Sequence, residues 1–253
     1  MFRRFVLAAL LFVTLPAGAL AQQITVSAAA SLTDAFKEIG AKFEAARPGT
    51  TVRFNFAASG VLLQQIGQGA PVDVLATADE ETMDRATLQK LVDTATRRDF
   101  ASNSVVLVVP AQGAPAVTSL ADLAGPQVKR IAIGKTATVP VGRYTKQLLE
   151  AAGLWTALEP KFVRADSVRQ VLDYVARGEV EAGFVYRTDA ALMADKVRVV
   201  LLPAFAPAGQ AAVRYPVAVV GESRNALLAR EFAAYLAAPA AQSVLARFGF
   251  APP

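Results

Sequence analysis

The chain contains no cysteine and no histidine among its 253 residues. Without cysteine no disulfide can staple the fold, whatever the redox compartment. Thiolate and imidazole metal cages are excluded together. Ser-His-Asp and Cys-His catalysis go with them, as does the commonest general base. Asp, Glu, Lys, Ser, Thr and Tyr remain for acid–base work, and no paired-carboxylate motif stands out. Blocks of one charge are missing too. Lys and Arg exceed Asp and Glu to give a formal charge of +5, but no cluster of them resembles a nucleic-acid patch. The apolar run from Phe5 to Leu15 is too short to span a bilayer comfortably.

That run has another reading. Arg3 and Arg4 precede it, and Pro16 and Ala19-Leu20-Ala21 follow it. A positive start, a short apolar middle and an A-x-A end describe a cleavable secretory signal over residues 1–21. No cysteine lies near the cleavage point to carry a lipid. The expectation is a soluble exported protein beginning near Gln22, only mildly basic once Arg3 and Arg4 are removed.

A hydrophobic content of 54% suits one large or two small globular domains with real cores. Along the chain one grammar recurs: a short apolar run, a few small or polar residues, then a helical period. "ITVSAA" precedes a helix expected from Leu32 to Ala46, and "VRFNF" and "AASG" precede one from Val61 to Gln68. "VDVLATA" leads to a helix starting near Glu80, and "RIAIG" to one from Arg143 to Ala152. "KFVRA" leads through "DSV" to a helix ending at "RGE"; "AGFVY" leads to "RTDAALMA". The end of the chain reads as two helices broken at Pro239. Such alternation predicts βαβ units and largely parallel sheets. Two long apolar runs, 102–110 and 214–220, read as crossings between sheets, and "LPAFAPAGQAA" between them as surface loop. The expected plan is a first lobe over 22–101 and 216–253, a second lobe over 102–215, and a cleft between them.

Ligands of open α/β sheets bind beyond the carboxyl ends of the strands, where helix starts present unpaired N–H groups. Five such junctions carry donors. Ser31 opens the first helix and reads as its cap, with Asp34 completing a capping-box-like S-x-x-D. Ser59 stands at the second, beside Gly60, which permits close backbone approach. Val141 follows Pro140 at the third, and Val168 follows Ser167 at the fourth; both offer a helix-start N–H. Tyr186 ends the strand at the fifth. Lys135 and Lys146 add charge near the third, whereas Arg143 is expected to face solvent.

"AAASLTDAF", "FNFAASGVLLQQIGQGAPVDVLATAD", "VPVGRYTKQLLEAAGLW", "DSVRQVLDYVARGEVEAGFVYRTDA", "YPVAVV" and "YLAAPAAQSVLARFGF" occur in that order. Together they resemble the periplasmic molybdate-binding proteins of ABC transporters, over essentially all of the expected mature chain. The resemblance implies an α/β, two-lobed type II periplasmic binding protein fold, each lobe a mostly parallel sheet flanked by helices. It implies a non-enzymatic periplasmic monomer that captures molybdate, and tungstate with it, for a membrane ABC permease. By motif position Ser31, Ser59, Val141, Val168 and Tyr186 would hold the oxyanion through its oxygens, with no direct metal ligand, no cofactor and no nucleic acid. Val141 stands where alanine is common in that family, and Arg187 where a small residue is usual. From the residues alone, three alternatives stay open: a binder of another oxyanion or organic anion, a hydrolase using the same cradle, or the effector module of a transcription regulator.

Overall fold

A computed structural model describes residues 22–200 and 213–253; the expected signal segment and the "LPAFAPAGQAA" loop lie outside the described residues. The elements in chain order are β1 (Gln22–Ala29), α1 (Thr33–Ala45), β2 (Thr50–Ala57), α2 (Ser59–Gly67), β3 (Val74–Ala76) and α3 (Glu80–Leu88). Next come β4 (Val92–Asn103), β5 (Val105–Pro110), β6 (Ile131–Gly134), α4 (Pro140–Ala151), α5 (Trp155–Leu158), β7 (Phe162–Ala165) and α6 (Val168–Ala176). The order closes with β8 (Ala182–Tyr186), α7 (Arg187–Leu192), β9 (Val197–Val200), β10 (Val213–Val220), α8 (Ala226–Tyr235) and α9 (Pro239–Arg247).

Two five-stranded sheets result, ordered β2-β1-β3-β10-β4 and β7-β6-β8-β5-β9. They form the two lobes. The expectation of mostly parallel sheets needs correction, because each sheet is mixed. In the first, β1 pairs in parallel with β2 and β3, while β10 runs antiparallel to β3 and β4. In the second, β6 pairs in parallel with β7 and β8, while β5 runs antiparallel to β8 and β9. The reversed strands are the long apolar runs. Flanked by neighbours on both sides in mid-sheet, they have no polar face to show, which is why they read as continuous hydrophobic stretches.

The chain leaves the first sheet through β4 and enters the second through β5, with Ser104 alone between. The run 214–220 does not cross. It lies wholly in the first sheet, with Val213 opposite Asn103 and Arg214 opposite Ser102. Residues at both ends of the span expected for the second lobe therefore belong to the first sheet.

In the first lobe α1 lays Phe36 and Phe43 against Phe232 of α8, with ring centroids 6.2 and 5.2 Å apart. Phe100 of β4 closes the same cluster, 5.6 Å from Phe36. The second lobe has its own core around Leu107, Ile133, Leu149 and Phe184. A continuous apolar layer joins the lobes through Ala58, Val139, Val141 and Val168. It is into this layer that the strand-to-helix junctions point.

Candidate functional site

All five residues named from the sequence line one small pocket between the lobes. The rest of its wall is alanine, valine and proline, and none of the lining residues is charged. Small side chains on the first lobe, Ala29, Ala30, Ala58 and Ala78, let the backbone form the wall.

Ser31 does not cap α1. A single 3-10 turn, Ala30–Leu32, is inserted before the helix, and Leu32 occupies the cap position without a side-chain bond. The Ser31 hydroxyl instead meets the Tyr215 hydroxyl at 3.1 Å, and Asp34 turns to Arg169 rather than closing a capping box. Ser59 is the first residue of α2, which begins two residues earlier than expected. Its Oγ accepts from the Ala78 N–H at 3.1 Å. A backbone N–H can only donate, so the serine's own proton stays available.

On the second lobe α4 begins at Pro140, so Val141 is its second residue, where no intrahelical acceptor exists for the N–H. Val168 is the first residue of α6, capped by Ser167, whose Oγ accepts from the Gln170 N–H at 3.2 Å. Pro140 and Ser167 each satisfy or remove an orphan group and leave their valine neighbour's N–H as the donor. Tyr186, at the end of β8, reaches across to the first lobe and donates to the Ala78 carbonyl at 3.4 Å. Burial drives its phenol far above the usual range, so it remains a proton donor.

Charge is arranged around this cavity and kept out of it. Arg143 does not face solvent, as its place on the helix had led us to expect. It turns into the interface, pairing with Asp79 (Nε to Oδ2 3.0 Å), Glu81 (3.3 Å) and the Thr82 hydroxyl (2.8 Å). On another flank Arg169 of α6 meets Asp34 of α1 at 2.9 Å and the Ser31 carbonyl at 3.4 Å. It also lies 2.6 Å from Asp189 of its own lobe, a charge contact whose angles are poor for a hydrogen bond. Asp189 is fully buried, and burial raises its carboxyl to about 6 against partial relief from Arg169. Lys135 and Lys146 take no part: they pair on the surface with Asp166 and Glu150.

The backbones of the two lobes meet at Gly60. Its N–H donates to the Thr138 carbonyl at 2.9 Å, and a Cβ there would come within 2.7 Å of that oxygen. Arg143, Arg169, Gly60 and Tyr215 were not singled out as site residues from sequence. Apart from the Arg169–Asp189 contact, the partners described lie 61 or more residues away, and only the glycine's small size hinted at its role.

A larger hollow opens at the far end of the first sheet, beside Asp73 and Lys90. Asp73 is already engaged there by the Thr25 N–H and the Ser223 hydroxyl. It presents a satisfied carboxylate rather than converging donors.

Residues 24–251 match the family described as bacterial extracellular solute-binding protein. A Bacillus subtilis protein named as an ABC transporter substrate-binding lipoprotein, YvgL, is 37% identical over 90% of this chain and 85% of its own. The molybdate-binding protein ModA of Escherichia coli is 38% identical over 90% and 88%. The solved periplasmic molybdate-binding protein of Azotobacter vinelandii superposes with a TM-score of 0.78, covering 91% of this chain and 99% of its own. At 24% identity that last likeness speaks for the fold alone. This chain belongs to the bacterial extracellular solute-binding protein family, among whose members its relatives include molybdate-binding proteins.

Proposed function

We propose that this protein captures molybdate, and tungstate with it, in the interlobe cavity and delivers the anion to the membrane permease of an ABC importer. It does so as a periplasmic monomer with no catalytic step and no resident cofactor; the metal is cargo, held through its oxygens. The observation that carries the reading is the cavity wall: two serines, a tyrosine and the first residues of two helices line it, and no charged side chain does.

The chemistry follows from that donor set. A dianion removed from water needs its hydrogen bonds replaced. Bonds from N–H and O–H groups to a charged acceptor are the strong kind, and helix N-termini add their dipoles. Donors come from both lobes, so closure gains all of them only with an anion between. A wall made of donors favours an oxyanion without protons. Phosphate keeps a proton near neutrality and wants an acceptor, which no side chain in this wall is charged to provide. Sulfate is refused by size, its oxygens lying closer to the centre. The 38% identity to a molybdate-binding protein supports the choice of anion.

A thermal-shift series with molybdate, tungstate, sulfate, phosphate and thiosulfate tests this. Molybdate and tungstate at a hundred times their dissociation constant should stabilise the fold by about 2.7 kcal/mol. No shift with either would assign the cavity to another anion.

A further inference from the structure

One polar chain in the molecule runs from the crossing between the lobes to the cavity wall. Asn103 is the last residue of β4, at the crossing. Its Oδ1 accepts from the Ser104 N–H at 2.9 Å, which fixes the orientation of the amide. The Nδ2 group therefore faces the other way. It donates to the Thr188 hydroxyl of the second lobe at 2.9 Å and to the Tyr215 hydroxyl of the first at 3.3 Å. Tyr215 is fully buried, and its oxygen is taken as an acceptor by that amide. Its proton has one hydroxyl to go to, Ser31 Oγ at 3.1 Å. Ser31 thus receives a hydrogen bond from behind, and its own proton is left for the cavity. The first lobe's other serine, Ser59, is set the same way by the Ala78 N–H.

We propose that Tyr215, held by Asn103, is a positioning residue that fixes Ser31 as a donor, and that this sets the preference of the cavity for fully deprotonated oxyanions. The inference rests on the oxyanion reading of the site. A serine hydroxyl is by nature both donor and acceptor. Free to rotate, Ser31 would accept a proton from a ligand that carries one. Pinned by Tyr215, it has one of its two lone pairs taken and turns its proton to the cavity, so a bare ligand oxygen is favoured over a protonated one. Burial holds the Tyr215 phenol well above its ordinary range, so the proton it donates is retained. The Asn103 amide also grips Thr188 of α7, so the chain is complete only when the two lobes stand together.

The test titrates wild type, Tyr215→Phe, Ser31→Ala and the double variant calorimetrically with molybdate, and with phosphate by competition, at pH 7. Phenylalanine keeps the ring packed against Phe250 and Tyr186. Tyr215→Phe should weaken molybdate about tenfold, the loss expected of one hydrogen bond, while phosphate holds or tightens. In the Ser31→Ala background the same change should cost less than about twofold, since the two residues act as one unit. Asn103→Ala, which frees the Tyr215 proton and leaves its ring in place, should lower the molybdate-to-phosphate ratio in the same direction. An unchanged ratio in both Tyr215→Phe and Asn103→Ala, or an equal tyrosine effect in both Ser31 backgrounds, overturns the inference alone. Wild type that binds neither anion overturns the ligand reading and takes this inference with it.

Discussion

The first lobe brings serine hydroxyls and carboxylates to the cleft, and the second brings guanidinium groups, helix-start N–H groups and the Tyr186 hydroxyl. Ser31 and Ser59 face Val141 and Val168 across the cavity. Asp34 and Asp79 face Arg169 and Arg143 around it. The sheets behind these groups have the same five-stranded plan, so the difference lies in the junctions. It teaches a division of labour. Full charges meet full charges at the rim, where attraction between lobes favours closure, and neutral donors alone remain for the anion. An arginine inside the cavity would hold almost any anion; a wall of oriented neutral donors holds only one that matches their directions.

Breaking the rim on the Arg169 side should have the largest effect. Arg169→Met leaves Asp189 buried without its countercharge, which costs about 3–5 kcal/mol for a broken buried pair. Urea denaturation at pH 7 measures it. The sign with pH is fixed by Asp189, whose folded value of about 6 lies above its unfolded one. The native state therefore holds the proton longer, and Asp189 favours folding at low pH and loses that contribution as pH rises toward about 6. Without Arg169 the carboxyl titrates higher still, so the penalty of Arg169→Met should shrink as the pH is lowered toward about 6 and level off below it. A penalty that is independent of pH would show that Asp189 is not the group left behind.

The next variant separates closure from donation. Gly60→Ala drives a methyl group against the Thr138 backbone, where neither side can yield. The affinity for molybdate should fall by about 3 kcal/mol, the upper end for overpacking, while the melting temperature without ligand changes little. Equal losses in both measurements would mean that Gly60 serves the first lobe's own packing. The smallest effect belongs to a single donor. Ser59→Ala removes one hydroxyl and should weaken molybdate by about 1–2 kcal/mol in calorimetry, leaving the rim and closure intact. If affinity is unchanged, the first lobe contributes backbone alone and the contrast between lobes narrows.

Much of this arrangement was legible in the sequence because it is local. A strand, a small polar junction and a helix can be recognised within about twenty residues, and Ser31, Ser59, Val141, Val168 and Tyr186 were each found at such a junction. Their common cavity follows from topology, since parallel strands put their helix starts at one end. What failed was also local. Ser31 obeyed the statistics of a cap, but an inserted 3-10 turn moved the helix start past it. Arg143 stood on a polar helix, and its carboxylate partner Asp79 is 64 residues earlier, on the other lobe. Tyr215 is 184 residues from Ser31, in a run whose apolar character gave no sign of the hydroxyl's task. The mixed sheets were missed for a related reason. A strand between two neighbours is apolar whichever way it runs, so direction left no mark on composition.

The corner between β6 and α4 has a consequence for how such a site drifts over time. A side-chain methyl at Gly142 would fall on the Gly134 carbonyl, and one at Gly134 would press into Val139 at 2.6 Å. These two glycines seat the helix start that carries the Val141 N–H. The donor itself belongs to the backbone and survives exchange of valine for any residue the cavity can house. The genetic footprint of this half of the site is thus displaced: a mutational scan would pass over Val141 and register the two glycines behind it. Selection can reshape the cavity through position 141 without spending the hydrogen bond, so anion size can be retuned while anion charge stays fixed.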